Sequence, residues 1–268
     1  MIEPTILAVD LGTSGMKVAL ITVSGKVLGW ESEPVRLIIT PDGGAEQSPE
    51  EWWQAFLSAA GRLMQRNQSA AASVITVCAS TQGEGTVAVD KEGNALGNAI
   101  LWMDMRGAPY LRKQLNGLIN IDGAGLMNVL RFVRLTGGMP SMTGKDPAAH
   151  MLLIRDAMPE LYARTYKFLN VLDYINLRLT GEFVATYDSI LTSWVTDNRN
   201  PDEIHYDDSL IRTLGIDKEK LPAIVACTKV IGNLRSDVAS ALGLSSTVKV
   251  VAGAIDNTAA AIGSGAVD

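Results

Sequence analysis

"ILAVDLGTSGMKVALITVSGKVLGW", residues 6–30, carries the first decision about the fold. Residues 5–11, 15–23 and 26–34 read as three successive strands rich in Val, Ile and Leu. The turns between them, at Thr13-Ser14-Gly15 and Ser24-Gly25, are short. Connections of that length join antiparallel neighbours, so the stretch predicts a meander. Asp10 breaks the apolar pattern, a carboxylate at the end of an otherwise buried strand.

Beyond a loop with Pro41, Gly43 and Gly44, "SPEEWWQAFLSAAGRLMQRN" predicts a helix with Ser48 as N-cap, Pro49 in its first position and Glu51 three residues past the cap. "SVITVCAS" reads as a buried strand, "TVAVD" as another, and "KEGN" as the hairpin turn that leads into "ALGNAILW". From about residue 107 to 222 the pattern turns helical between Gly and Pro breaks, with "DPAAHMLLIRDAMPELYAR" and "DYINLRLTG" the clearest segments. The end of the chain returns to strand, turn and helix: Val248 to Ala252, then Gly253, then an Ala-rich helix opened by Asp256. If strands at the two ends share one sheet, the class is α/β with a mixed sheet whose antiparallel part is the meander.

Composition narrows the function. With 268 residues, 47% of them hydrophobic, the chain can build a sizeable core. A net charge of -6, with no long run of Lys or Arg, argues against nucleic acid as a partner. No apolar stretch approaches the roughly 20 residues of a bilayer span, and the N-terminus lacks a basic-then-apolar targeting pattern, so no membrane partner and a cytoplasmic location are expected. Cys78 and Cys227 lack CxxC spacing, so neither a structural zinc nor a disulfide is expected, and His150 and His205 read as packing or surface residues.

Three clusters carry polar chemistry. After Asp10, the turn Gly12, Thr13, Ser14, Gly15 offers close backbone approach, turn amides and two hydroxyls to a phosphate, and Lys17 adds charge. A carboxylate beside a phosphate makes electrostatic sense when a divalent cation lies between them, which makes Asp10 a candidate magnesium residue. The alternative is that Asp10 caps the turn. Asp256 in "AGAIDNTAAA" is either an ordinary N-cap or, with Asn257 beside it and small residues leaving room, a base for an attacking hydroxyl. In "STQGEGTVAVD", Ser80, Thr81, Gln82 and Glu84 suit hydroxyl recognition or a plain polar turn. In "ILWMDMR", Trp102 either walls a sugar face or fills the core, with Asp104 and Arg106 following it.

Together these segments resemble the N-terminal domain of the FGGY carbohydrate kinases. "AVDLGTSGMKVAL" resembles the family's first phosphate motif, "SPEEWWQA" its first helix, and "AILWMDMR" the wall of its sugar site. "DYINLRLTGEFVATYDS" resembles a mid-domain segment, and "VVAGAIDNTAAAIGSGAV" the motif of the catalytic aspartate. The resemblance implies an actin/hexokinase-like (ribonuclease H-like) fold with a five-stranded mixed sheet flanked by helices. It implies an ATP-dependent kinase of a small sugar or polyol, with ATP and Mg2+ as cofactors and one domain over residues 1–268. Asp10 would act on the magnesium of MgATP; Gly12, Thr13, Ser14 and Lys17 would lie near the transferred phosphate. Asp256 would be the general base, and Gln82, Glu84, Trp102 and Asn257 would contact the acceptor.

Two departures stand out. Where xylulokinases commonly read Gln-Met-His-Gly, this chain reads Gln82-Gly83-Glu84-Gly85, so the acceptor is expected to differ, with Gly83 giving room for a larger one. Family members also continue for roughly two hundred residues more, a second domain of ordinary size with the adenine site. The chain alone is therefore expected to bind ATP weakly and turn over little. The competing reading is a non-catalytic sugar- or nucleotide-binding member of the same superfamily; a homodimer stays open.

Overall fold

The computed structural model describes residues 3–266, so Val267, the last residue of the quoted C-terminal motif, lies outside them. The meander forms as β1 (Thr5–Gly12), β2 (Gly15–Thr22) and β3 (Val27–Pro34), each antiparallel to the next. Alternation along β1 buries Leu7, Val9 and Leu11 on one face. Helix α1 (Pro49–Arg66) follows, with Ser48 Oγ accepting the Glu51 amide at 3.3 Å as the capping pattern predicts. Trp52, Phe56, Ala59, Ala60 and Leu63 form a stripe at helical spacing and bury it against β2 and β3. Its outer edge is tied to β3 by Arg62, whose Nη1 donates to Glu33 at 2.6 Å, and by Arg66 to Glu31.

The chain then enters β4 (Val74–Thr81), which pairs parallel to β1. Residues 107–222 build a helical layer around a second apolar cluster that includes Leu111, Phe132, Leu152, Ile190 and Leu214. Within it lie α2 (Pro147–Ala157), α3 (Val171–Thr180) and the short α4 (Tyr187–Leu191). The stretch 146–164, read as helical, forms two helices: Pro159 has no amide to continue the ladder, and a second helix, Pro159–Arg164, starts there. The end of the chain supplies β5 (Val230–Asn233), α5 (Ser236–Leu242), β6 (Lys249–Ile255) and α6 (Asp256–Gly263).

The main sheet has six strands in the order β5-β6-β4-β1-β2-β3, not five. The additional strand, β5, pairs antiparallel with β6 at the edge, and four half-exposed residues "VIGN" show no alternation that a sequence reading could use. The mixed character is as expected: β1, β4 and β6 are parallel in the centre and the meander is antiparallel. Strands from the two ends of the chain do share the sheet. No helix among the described residues is long and apolar enough to cross a membrane.

Candidate functional site

The three parallel strands deliver their carboxyl ends to one edge. Asp10 of β1 is level with Ser80 of β4, which is level with Ala254 of β6; Leu11, Thr81 and Ile255 form the next row. Two strand spacings place the Asp10 and Ala254 backbones roughly 10 Å apart. The carboxyl ends of parallel strands are where α/β sheets hold ligands, and here the loops beyond them enclose a cleft of about 300 Å3. Its walls are Thr13, Gln82, Gly83, Glu84, Trp102, Ile255, Asp256 and Asn257.

One wall is a hydrogen-bonded frame. Thr13 Oγ1 donates to Gln82 Oε1 at 2.8 Å and accepts from Trp102 Nε1 at 3.2 Å. Gln82 Nε2 donates to Gln47 Oε1 at 2.9 Å; Gln47 Nε2 donates to the Thr13 carbonyl at 2.8 Å, and its oxygen also accepts from Trp52 Nε1. Gln82 and Gln47 are both buried, so their amides brace the β1–β2 turn against the loop after β4. Trp102 keeps 40% of its surface exposed and walls the cleft instead of filling the core. Its loop is held by buried Asp104, which accepts from the Ala45 amide at 2.9 Å and from the Arg106 guanidinium, itself paired with Glu46.

The opposite wall is carboxylate. Glu84 takes a positive φ of 59°, a conformation that costs a non-glycine residue about 1–2 kcal/mol and that recurs at ligand sites. A Cβ on the next residue, Gly85, would approach Val171 Cγ2 to 2.5 Å, so the loop turns tightly against α3. Burial raises the Glu84 pKa, Lys145 pulls it down and Asp256 pushes it up, so these three charges share one field. Close by, burial lifts Asp146 to about 6 against the opposing Ser141 amide, and the Glu84 charge adds to the rise.

Asp256 is not an N-cap: Ile255 holds that position and Asp256 is the first helical residue, exposed, its Oδ1 accepting the Asn257 amide at 2.7 Å. A carboxylate there is favoured by the helix dipole. The strand reaches it through Gly253, at φ 77°, where a Cβ would lie 2.0 Å from the Ala79 carbonyl oxygen. Glycine is required for that approach.

The residues expected on the phosphate side are arranged differently. Asp10 and Lys17 face each other across β1 and β2 and form an ion pair at 2.9 Å, both sides about half exposed and outside the cleft wall. The carboxylate therefore engages its cross-strand lysine. Ser14 is exposed at the turn, and Gly12 precedes it. No group of three or more His, Cys, Asp or Glu that could hold a metal ion occurs among the described residues. His150 is fully buried, with Nδ1 3.1 Å from Thr86 Oγ1, while His205 is exposed; both cysteines are free.

Gln47, Ile255 and Lys145 escaped the sequence reading. Gln47 had one usable signal, a polar residue just before the helix cap; the other two carry none, because only folding brings Ile255 to the cleft and the Lys145 charge within reach of Glu84.

A family model, that of the "FGGY family of carbohydrate kinases, N-terminal domain", matches residues 5–263. The chain is 32% identical over 266 residues to a xylulose kinase of Escherichia coli (strain K12), covering 98% of this chain and 50% of that protein. It is 30% identical over 264 residues to an erythritol kinase of Brucella abortus (strain 2308), covering 97% and 48%. A solved structure, ligand-bound xylulose kinase from Lactobacillus acidophilus, superposes with a TM-score of 0.83 at 26% identity, covering 98% of this chain and 50% of that one. The chain spans about half the length of the curated relatives it matches.

Proposed function

Because the chain belongs to the FGGY family of carbohydrate kinases, with their actin/hexokinase-like fold, we propose that residues 1–268 form the acceptor-binding, base-bearing half of an ATP-dependent sugar or polyol kinase. The observation that carries the reading is one cleft lined by Asp256 at a helix start, by Glu84 and by Trp102. A linear or cyclic polyhydroxy chain needs such a set: an apolar ring to lie against and carboxylates and amides to accept its hydroxyl protons. The named relatives act on xylulose and erythritol, both small polyhydroxy compounds, which is the substrate class proposed here.

In the reaction, Asp256 accepts the proton of the acceptor hydroxyl as its oxygen attacks the γ-phosphorus in line and the bond to the leaving ADP oxygen breaks. Glu84 and Asn257 orient the neighbouring hydroxyls, and Trp102 excludes water from one face. Thr13, Ser14 and the Gly12 backbone lie on the side from which the phosphoryl group arrives, and Lys17 neutralises charge there. Asp10 is the carboxylate that would hold a magnesium ion; it is half exposed and paired with Lys17 at 2.9 Å, a contact the ion would replace or share. When bound, that ion would neutralise phosphate charge. The nucleotide's other wall belongs to a second domain in the reading offered here, so this half alone turns over little.

The test is phosphorylation of a panel of C3 to C7 sugars and polyols by the full-length protein. Asp256→Asn should lower kcat by at least about 100-fold, within the range of a lost general base, with ATP binding nearly unchanged. Activity retained by that variant would refute the assignment.

A further inference from the structure

The strand that presents Asp256 breaks its ladder with β4 between Val251 and Ala254 and rejoins it for only the two residues before Asp256. β6 is in register with β4 up to Val251–Cys78, and the register shifts before pairing resumes at Ala254–Ser80, with Ala252 and Gly253 set against Ala79 alone. The helix it opens, α6, buries none of its residues and has no side-chain cap. The sheet therefore reaches α6 through only two residue pairs, Ala254–Ser80 and Ile255–Thr81, and no buried helix face adds to them.

A side chain from another part of the chain takes over. Asp188, on α4, accepts the Ile255 amide through Oδ2 at 2.7 Å and the Thr258 hydroxyl through Oδ1 at 2.8 Å. These two contacts bracket Asp256, one residue before it and two after it. The Ile255 amide is thus satisfied by a carboxylate 67 positions away in sequence. Asp188 is itself rigidly mounted. The Thr186 and Ser189 side chains form a reciprocal capping box on α4, at 3.0 Å each way, and Ser189 Oγ donates to buried Asp173 of α3 at 2.8 Å. A charge-assisted pair of hydrogen bonds from a fixed mount holds backbone more tightly than a neutral cap would.

We propose that Asp188 is a positioning residue: it clamps both sides of Asp256 and sets the direction in which that carboxylate enters the cleft. The proposal rests on Asp256 being the base of the proposed kinase. A displacement of about 1 Å in a reacting group costs on the order of 100-fold in rate, which sets the expected effect of releasing the clamp.

The experiment uses the full-length protein with Asp188→Ala, Asp188→Asn, Thr258→Val and Asp256→Asn, assayed with ATP and the best acceptor of the panel. Asp188→Ala should lower kcat on the order of 100-fold while KM for ATP stays within about threefold. Asp188→Asn should recover most of the loss, since its carbonyl accepts the Ile255 amide and its NH2 donates to Thr258 Oγ1. Thr258→Val, a substitution at a half-exposed site, should give a smaller loss of the same type and keeps the test open should Asp188→Ala not fold. A kcat for Asp188→Ala within about threefold of the parent, or an Asp188→Asn variant as impaired as Asp188→Ala, overturns the clamp. Amide hydrogen exchange at residues 255–258 separates this proposal from the reaction. Should Asp256→Asn prove fully active, the base assignment falls, yet faster exchange in Asp188→Ala still supports the clamp and unchanged exchange overturns it.

Discussion

Replacing Asp173 by Asn should change how the stability of the chain depends on pH. Asp173 is 1% exposed in α3, with Oδ2 accepting the Asn170 amide at 3.0 Å and Oδ1 accepting from Ser189 Oγ at 2.8 Å. Burial raises its pKa to about 7 against those hydrogen bonds, and the neighbouring Asp188 charge adds to the rise. An unfolded Asp titrates near 3.9, so between about pH 4 and pH 7 the folded state holds a proton that the unfolded state has released. Stability contributed by the protonated carboxyl is therefore full below the unfolded value and falls as pH rises, by up to about 1.4 kcal/mol per unit and on the order of 4 kcal/mol in total. The amide introduced by Asp173→Asn would resemble the protonated acid, its oxygen accepting the Asn170 amide and its NH2 donating to Ser189. Urea unfolding of parent and variant, followed by circular dichroism at several values from about pH 4 to pH 8, isolates this group because all other titrations cancel in the difference. The variant should gain on the parent from about pH 4 to pH 7 and level off above it. A stability difference that stays flat with pH would refute the buried, proton-retaining carboxyl.

Gly253→Ala puts a Cβ 2.0 Å from the Ala79 carbonyl oxygen at φ 77°, and should cost roughly 3 kcal/mol, or about 6–12 °C in Tm for a chain of this size; an unchanged Tm would show that the strand end does not need glycine. At Gly83 a Cβ meets only the Ile255 side chain, nearest at its Cδ1, 3.1 Å away, so Gly83→Met should fold with a stability change under about 1 kcal/mol while lowering kcat/KM for larger acceptors more than for smaller ones. Equal losses across the panel would show that this position does not gauge acceptor size. Burial lowers the His150 pKa to about 4, so its imidazole should stay neutral, and its ring proton signals should not shift between about pH 5.5 and pH 8; a titration in that window would contradict the burial.

Several of these groups were visible in the sequence and several were not, for reasons that lie in the range of each interaction. Ser48 capping α1, the two short turns of the meander and the helix opened near Asp256 follow from local rules, in which a residue's partners lie within four positions. The choice between N-cap and first helical residue at Asp256 did not follow, because it depends on the register shift at Gly253 against Ala79 in another strand. Trp102 could equally have filled a core or walled a cleft; its indole faces Thr13 because Asp104 and Arg106 pin its loop to the Ala45–Gln47 strand.

Local sequence was enough for the meander, the mixed α/β class, the first helix and, through five ordered segments, the family. Each rests on periodicity, capping or spacing that neighbouring residues impose on one another. Long-range packing set the sixth strand, the ion pair that Asp10 makes with Lys17, the amide frame around Gln47 and Gln82, and the clamp from Asp188 onto the turn that bears Asp256. These join residues that are brought together only when parallel strands from the two ends of the chain align their carboxyl ends, and no local rule ranks one distant partner above another.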